Sequence, residues 1–380
     1  MKILHTITSA DPAGGGPIAA VDQLARVHMR WGHTVEVASL DDPSMDWLAQ
    51  FPFKIHALGP SISSYAYSQQ FVPWLKANGR NYDCIVINGL WQFTGFGVLQ
   101  ANTGVPYFVF PHGMLDPWFK VTYPLKHLKK WIYWPWAEYQ VLRKAKAVLF
   151  TCEAEKQLAR QSFWLYTCRE TVAHLGVDAP PGDPIQQRQV FLERFPALKD
   201  KRLILFLGRL HVKKGCDLLI QAFARVAALD DRLHLVMAGP DQTGWQASLQ
   251  KMAQQLGIAD RICWAGMLSG DLKWGALHSA EVFALPSHQE NFGIAVVEAL
   301  ACGLPVLISD KVNIWQEICE DRAGLVAEDS LEGTVNVLQQ WLALTIDEQK
   351  AMAVSAETAF ESRFAVEHAA RRCLQIFQEP

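Results

Sequence analysis

Short apolar runs recur along the chain, separated by longer stretches in which apolar positions return every three or four residues. In the first half the runs are KILHTI, TVEVASL, KIHALG, DCIVING, PYFVFPHG and AVLFTC, with helical patterns such as PIAAVDQLARVHMRWG between most of them. Brief apolar runs of this kind read as strands buried on both faces, and the amphipathic stretches as crossover helices, so the spacing predicts a parallel, doubly wound sheet. The pattern pauses at VDAPPGDPIQQ, where Pro180, Pro181 and Pro184 suit an exposed and fairly stiff linker. It restarts with RLILFLG, LHLVMAG, RICWAG, EVFALPS, PVLISD and GLVAE, again alternating with helices, and from about Leu331 onward only helical patterns remain. The expectation is an α/β chain of two Rossmann-like domains with a cleft between them, over residues 1–180 and 185–362. The halves share a plan, not a sequence repeat.

Composition agrees with this and narrows the function. A chain of 380 residues has room for two or three domains at ~150 residues each. Half of it is apolar and the net charge is -3, which offers no global reason to expect nucleic acid as a partner. The cysteines, at 84, 152, 168, 216, 263, 302, 319 and 373, include no Cys-x-x-Cys pair, so a reduced, cytoplasmic setting fits best. MKILHTIT begins like a leader, but its apolar run is short, contains His5 and flows into a glycine-rich turn, so it reads as the first strand. No apolar run reaches the ~18 residues of a spanning helix, and any membrane contact is expected to be peripheral.

Chemistry concentrates in four stretches. In ALPSHQENFGIAVVEALACG, Glu290 lies in the loop before a helix start and Glu298 inside the helix. A carboxylate can accept from two sugar hydroxyls, and the amides of Asn291, Phe292, Gly293 and Ile294 at the helix start suit an anionic or hydroxyl-rich ligand. Taken alone, the two glutamates read more simply as a loop-surface charge and a solvated helix residue. In LILFLGRLHVKKGCDLLIQAF a strand ends at Gly208, and Arg209 and Lys214 follow at its carboxyl end, where open α/β sheets bind ligands. Two cations there can neutralise a diphosphate, and a solvated basic turn is the simpler alternative. AGGGPIAA, with Gly15 and Gly16, lets backbone approach a phosphate or sugar, yet lacks the Gly-x-Gly-x-x-Gly spacing and fits a plain tight turn equally well. Pro111-His112-Gly113 ends another strand, and a lone histidine there is more often structural.

In their order and spacing, Gly15-Gly16, Pro111-His112-Gly113, Gly208-Arg209…Lys214-Gly215 and Glu290-x7-Glu298 resemble the retaining glycosyltransferases of family 4, which have the GT-B fold. The resemblance covers nearly the whole chain. It implies that Arg209 and Lys214 stabilise the leaving diphosphate, that Glu290 and the amides after it hold the donor sugar, that Glu298 takes the ribose hydroxyls and that His112 faces the donor sugar. Gly239-Pro240-Asp241 and Gly266-Met267-Leu268, at strand ends, would hold the base through backbone groups, and Gly208, Gly239, Met267 and Leu268 would line the donor. The last helix, about 363–380, would cross back to the first domain. The expected activity moves a hexose from a nucleotide sugar, UDP-glucose or a related UDP-sugar, to a growing lipid-linked polysaccharide. FPHGMLDPW resembles exopolysaccharide and lipopolysaccharide transferases of the family, a cyanobacterial envelope-polysaccharide transferase among them. No Asp-x-Asp occurs, so no metal and no cofactor are expected. A nucleotide-sugar epimerase on the same fold and a non-catalytic nucleotide-sugar or glycan binder are the competing readings.

Pro117 to Lys146 mixes seven Lys and Arg with Trp and Tyr, which suits the interface of an anionic membrane. A core-packed helix with outward lysines fits the same residues.

Overall fold

The strand-like runs all form strands in the structure, a computed structural model that describes residues 1–379. In the first half these are β1 (Lys2–Ile7), β2 (Thr34–Ser39), β3 (Lys54–Ala57), β4 (Cys84–Asn88), β5 (Tyr107–Phe110) and β6 (Ala147–Phe150). A seventh, β7 (Glu170–Val172), pairs in parallel with β6. It was not legible as a strand, because three half-buried residues led by a glutamate carry neither an apolar run nor an alternation. The sheet order is β3-β2-β1-β4-β5-β6-β7, with every pairing parallel.

Parallel strands need both faces covered, and the alternation of β4 shows how this is met. Ile85 and Ile87 enter one apolar cluster with Leu4, Val109 and Val148, while Cys84 and Val86 enter another with Ile3, Phe108 and Leu149. The second cluster is completed by the C-terminal helix Val366–Gln378, which contributes Ala369, Ala370, Cys373, Ile376 and Phe377. That helix lies against Gly16–Arg30, where His28 Nε2 is 3.0 Å from the Ala370 carbonyl oxygen, and against β5, where the rings of Phe108 and Phe377 are 4.8 Å apart.

The second half holds β8 (Arg202–Leu207), β9 (Leu233–Ala238), β10 (Ile262–Gly266), β11 (Val282–Leu285), β12 (Val306–Ser309) and β13 (Gly324–Ala327). Their order is β10-β9-β8-β11-β12-β13, again all parallel. The chain divides into one unit of Met1–Val177 with the segment from Val366, and a second of Asp178–Ala365. The proline-rich stretch therefore belongs with the second unit, and the return to the first falls at Val366 instead of about 363. Pro380, the end of the expected returning helix, lies outside the described residues.

In each sheet the strand order reverses once, at β1 beside β4 and at β8 beside β11. Loops leaving the carboxyl ends at such a point diverge to opposite faces and leave a crevice. In the second unit the stretches with Arg209, Lys214 and Glu290 leave from these two strands, and the Gly239 and Gly266–Leu268 turns from β9 and β10; those in the first leave from β1 and from β5, the neighbour of β4.

Candidate functional site

In the second unit, the turn after β8 and the loop after β11 meet. Val212–Lys214 form a single tight turn, closed by Gly215 at φ +65°. A Cβ on Gly215 would collide with the Pro286 carbonyl oxygen, so glycine here lets the two loops touch. Ser287 Oγ donates to the Lys213 carbonyl oxygen at 2.9 Å, and the His288 amide donates to the same oxygen at 2.8 Å. Glu290 is pinned through its backbone: its amide donates to Lys311 O at 2.9 Å, and its carbonyl accepts from the Asn313 amide at 3.0 Å. The outcome is an ion pair between Lys214 Nζ and Glu290 Oε2, with the two side chains only 17% and 16% exposed.

Burial pushes the Lys214 ammonium down to about 7, with Lys213 and Arg209 adding to the effect. The Glu290 carboxylate against it opposes that shift and favours the charged form. An anion arriving at Lys214 would do the same. Arg209 stands apart from this pair; it is exposed, and its Nη1 lies 3.5 Å from Gln242 Oε1.

The helix Ile294–Ala301 begins behind Glu290, with Gly293 at φ +79° as its cap. Its first amides have no carbonyl a turn earlier to bond, so Ile294 and Ala295 present donors at the positive end of the helix, with Asn291 and Phe292 in the loop just before it. The Phe292 ring is buried beside Phe364, 6.1 Å between centroids, so only its backbone can serve a ligand. Glu298 is not a solvated helix residue. Its Oε1 accepts from Lys273 Nζ at 2.9 Å, and Lys273 in turn lies 4.1 Å over the Trp274 ring.

Gly208, Gly239 and Gly266 sit side by side at the ends of β8, β9 and β10. The Gly208 amide donates to Ala238 O at 2.9 Å, and the Gly239 amide to Gly266 O at 2.7 Å. A Cβ on Gly239 would strike the Gly208 carbonyl oxygen, and its φ is +144°, so strand packing alone demands glycine there. Of the next turn, Met267 is 75% exposed and Leu268 is buried.

In the first unit, β1 ends in a loop tied down by Asp41, whose carboxylate accepts from Ser9 Oγ at 2.6 Å and from the Ala10 amide at 2.7 Å. Gly15, at φ +86° and ψ -137°, is in a region that glycine alone occupies readily. Nothing lies within 4 Å of a Cβ built on Gly15 or Gly16, so the loop is open to an incoming group. Pro17 stands in the first turn of Gly16–Arg30, where a missing amide costs nothing.

His112 follows β5 at φ +50°, an uncommon conformation for a non-glycine residue. Its Nε2 lies 3.2 Å from Asn88 Oδ1, and Asn88 Nδ2 lies 3.2 Å from His5 Nδ1. Burial pushes His112 down to about 4 and, with His28 and His112 nearby, His5 to about 3. Both rings are neutral at physiological pH, so His112 donates to Asn88 through Nε2–H and keeps Nδ1 as an acceptor. The Gly113 amide donates at 2.6 Å to Glu155, a buried carboxylate that also accepts from the Thr151 amide and hydroxyl at 2.7 Å each. Glu155 thus fixes the loop on which His112 stands.

Sequence reasoning missed Lys273, Asn88, His5 and Glu155. Asn88 carried a usable signal, a polar residue closing an otherwise apolar buried strand; the other three carried none that a single sequence reveals.

The two parallel sheets with ligand-type loops at their reversal points define an α/β protein of the GT-B fold. Residues 188–358 match the family described as glycosyl transferases group 1, and residues 15–176 match the glycosyl transferase 4-like domain. Together these place the chain among the group 1, family-4-like glycosyltransferases. A D-inositol 3-phosphate glycosyltransferase of Geodermatophilus obscurus is 32% identical over 178 residues, 42% of this chain and 40% of that protein. One of Mycolicibacterium smegmatis is 30% identical over 239 residues, 62% and 51% of the two chains. The chain therefore spans about half the length of the curated relatives it matches. Among solved structures, Anabaena HepE in complex with UDP and glucose superposes with TM-score 0.79 at 17% identity, over 100% of both chains. A sucrose-phosphate synthase from Thermosynechococcus elongatus gives TM-score 0.79 at 19% identity, over 99% of this chain and 98% of that one. At these identities the superpositions speak for the fold.

Proposed function

We propose that the chain transfers a hexosyl group from a nucleotide sugar, UDP-glucose or a related UDP-sugar, to a glycan or lipid-linked glycan, with retention of anomeric configuration. The observation that carries this is the pairing of Lys214 with Glu290, which sets a desolvated cation and a sugar-type acceptor side by side next to a helix start. A binding protein needs no such cation. In the reaction, the acceptor hydroxyl oxygen bonds to the anomeric carbon as the bond to the diphosphate oxygen breaks. The hydroxyl proton passes to the departing phosphate. Lys214, with Arg209 at the rim, takes up the charge that develops on that phosphate; Glu290 and the amides from Asn291 to Ile294 hold the sugar; Glu298, oriented by Lys273, accepts from the ribose hydroxyls. His112 contributes a neutral acceptor nitrogen suited to a sugar hydroxyl. No metal or cofactor is assigned a step. The solved neighbour holding UDP and glucose supports a uridine donor, and bacterial polysaccharide assembly, with a lipid-linked acceptor at the cytoplasmic face of a membrane, is the setting proposed.

Thermal stability with saturating UDP, GDP and ADP tests the donor. Ligand at ~100 times its dissociation constant adds about 2.7 kcal/mol, so UDP is expected to raise the melting temperature and the others not. Lys214→Ala is expected to lower turnover by roughly 10²–10³ while the circular dichroism spectrum stays unchanged. Undiminished turnover would remove Lys214 from the mechanism.

A further inference from the structure

The helices Trp118–Thr122 and Pro124–Tyr133 already have a core to pack against. Trp131 lies against that core and Trp134 is wholly buried in it, its Nε1 donating to Leu165 O at 2.8 Å. The opposite side is apolar as well. Leu125, Leu128 and Ile132, at helical spacing, are 78%, 61% and 73% exposed, and the strip continues through Val121 at 81% and Trp136 at 55%. No packing among the described residues explains this second apolar face.

Its charge is of one sign. From Pro117 to Ala137 the sequence holds four lysines and no acidic residue; Lys120, Lys126 and Lys129 are exposed beside the strip, while the flanking Asp116 and Glu138 are buried. So a chain of net charge -3 bears a face that is positive, apolar and rimmed by Trp136 and Tyr123. A two-fold contact with a second copy would set these lysines against the same lysines. Acyl chains accept the leucines, headgroup depth suits the aromatic rim, and anionic headgroups accept the lysines.

We propose that this face docks on an anionic lipid bilayer, with Val121, Leu125, Leu128 and Ile132 entering the headgroup boundary. This deepens the reading above, resting on it only for the idea that the acceptor is lipid-linked.

The test is co-sedimentation of the full chain with phosphatidylcholine vesicles, with and without phosphatidylglycerol, at low and high salt. Phosphatidylglycerol is expected to tighten binding at least about tenfold, and salt to reverse this. One lysine near such a surface contributes about fivefold, so Lys126→Gln with Lys129→Gln is expected to weaken partitioning roughly 25-fold. Leu125→Ser, Leu128→Ser and Ile132→Ser together are expected to abolish it. All five positions are exposed, and an unchanged melting temperature checks that the variants fold. Equal sedimentation with and without phosphatidylglycerol, or variants that bind like the parent, would overturn the proposal. So would a dimer of the parent that the triple variant dissolves. The UDP shift reads the donor assignment separately: vesicle binding without a UDP shift sinks that assignment and leaves docking standing, and a UDP shift without vesicle binding does the reverse.

Discussion

Glu138 and Lys214 are both held out of water, and their surroundings drive them to opposite ends. Burial presses Lys214 towards losing its proton, against the pull of Glu290, and Glu138 towards keeping one. Burial raises Glu138 to about 8, even though its carboxylate accepts the Trp91 amide at 2.6 Å and lies near Lys130. Its ordinary value is 4.5, so between about 4.5 and about 8 the folded chain holds a proton that the unfolded chain has lost. Stability from this group is therefore lost as pH rises through that window. Glu138→Gln keeps the size and an acceptor for Trp91 but cannot ionise. The melting temperature of the parent is expected to fall by several degrees more than that of Glu138→Gln as pH rises through the window; matching slopes would show that Glu138 does not titrate there. In Lys214 the same physics has a functional use, since a desolvated cation interacts more strongly with an arriving phosphate than a hydrated one.

At the scale of elements, the glycines at strand ends divide into two kinds. Gly215 and Gly239 stand where another loop's carbonyl leaves no room for a Cβ, whereas Gly15 and Gly16 stand in open space. The first kind maintains the fold, and the second leaves a surface clear. Gly239→Ala is expected to cost at least about 2 kcal/mol through its positive φ and the clash with the Gly208 carbonyl, measured by denaturant unfolding. Gly16→Ala, at the start of a helix with an ordinary φ, is expected to leave stability unchanged within about 1 kcal/mol. Any loss of turnover in Gly16→Ala then reports on a ligand, not on folding. The glycines were all visible in the sequence as turn signals, but only the neighbouring carbonyls distinguish the two kinds.

For the molecule as a whole, the decisive connection is the return of the last helix to the first unit. Val366, Ala369, Ala370, Cys373, Ile376 and Phe377 are buried there. Burying one large apolar side chain is worth roughly 1.5–3 kcal/mol, against a total stability of about 5–15 kcal/mol. A chain ending at Ala365 is expected to lose the folded first unit while the second persists, seen as protease sensitivity confined to residues 1–177. Resistance of both units would show that the helix is dispensable.

The residues by themselves determined most of the architecture, because burial on both faces of a parallel strand imposes a local apolar run that can be read without knowing the partners. The same locality placed Arg209, Lys214, Glu290 and His112 at strand ends, where ligand sites form. The short β7 escaped because three half-buried residues leave no such imprint. Tertiary structure alone decided what meets what. Lys214 reaches Glu290 across 76 residues because the sheet order sets β8 beside β11, and Glu298 turns to Lys273 because the helices that precede and follow β11 come together. His112 is neutral because the fold buries it, and Asn88 on the neighbouring strand leaves Nδ1 as its acceptor. The aromatic and basic stretch after Pro117 could have been core or surface from its composition; the fold makes it both, by burying Trp134 and leaving Leu125, Leu128 and Ile132 in water. Pairings between distant strands depend on the sum of many weak contacts, and that sum is not written at any one position of the chain.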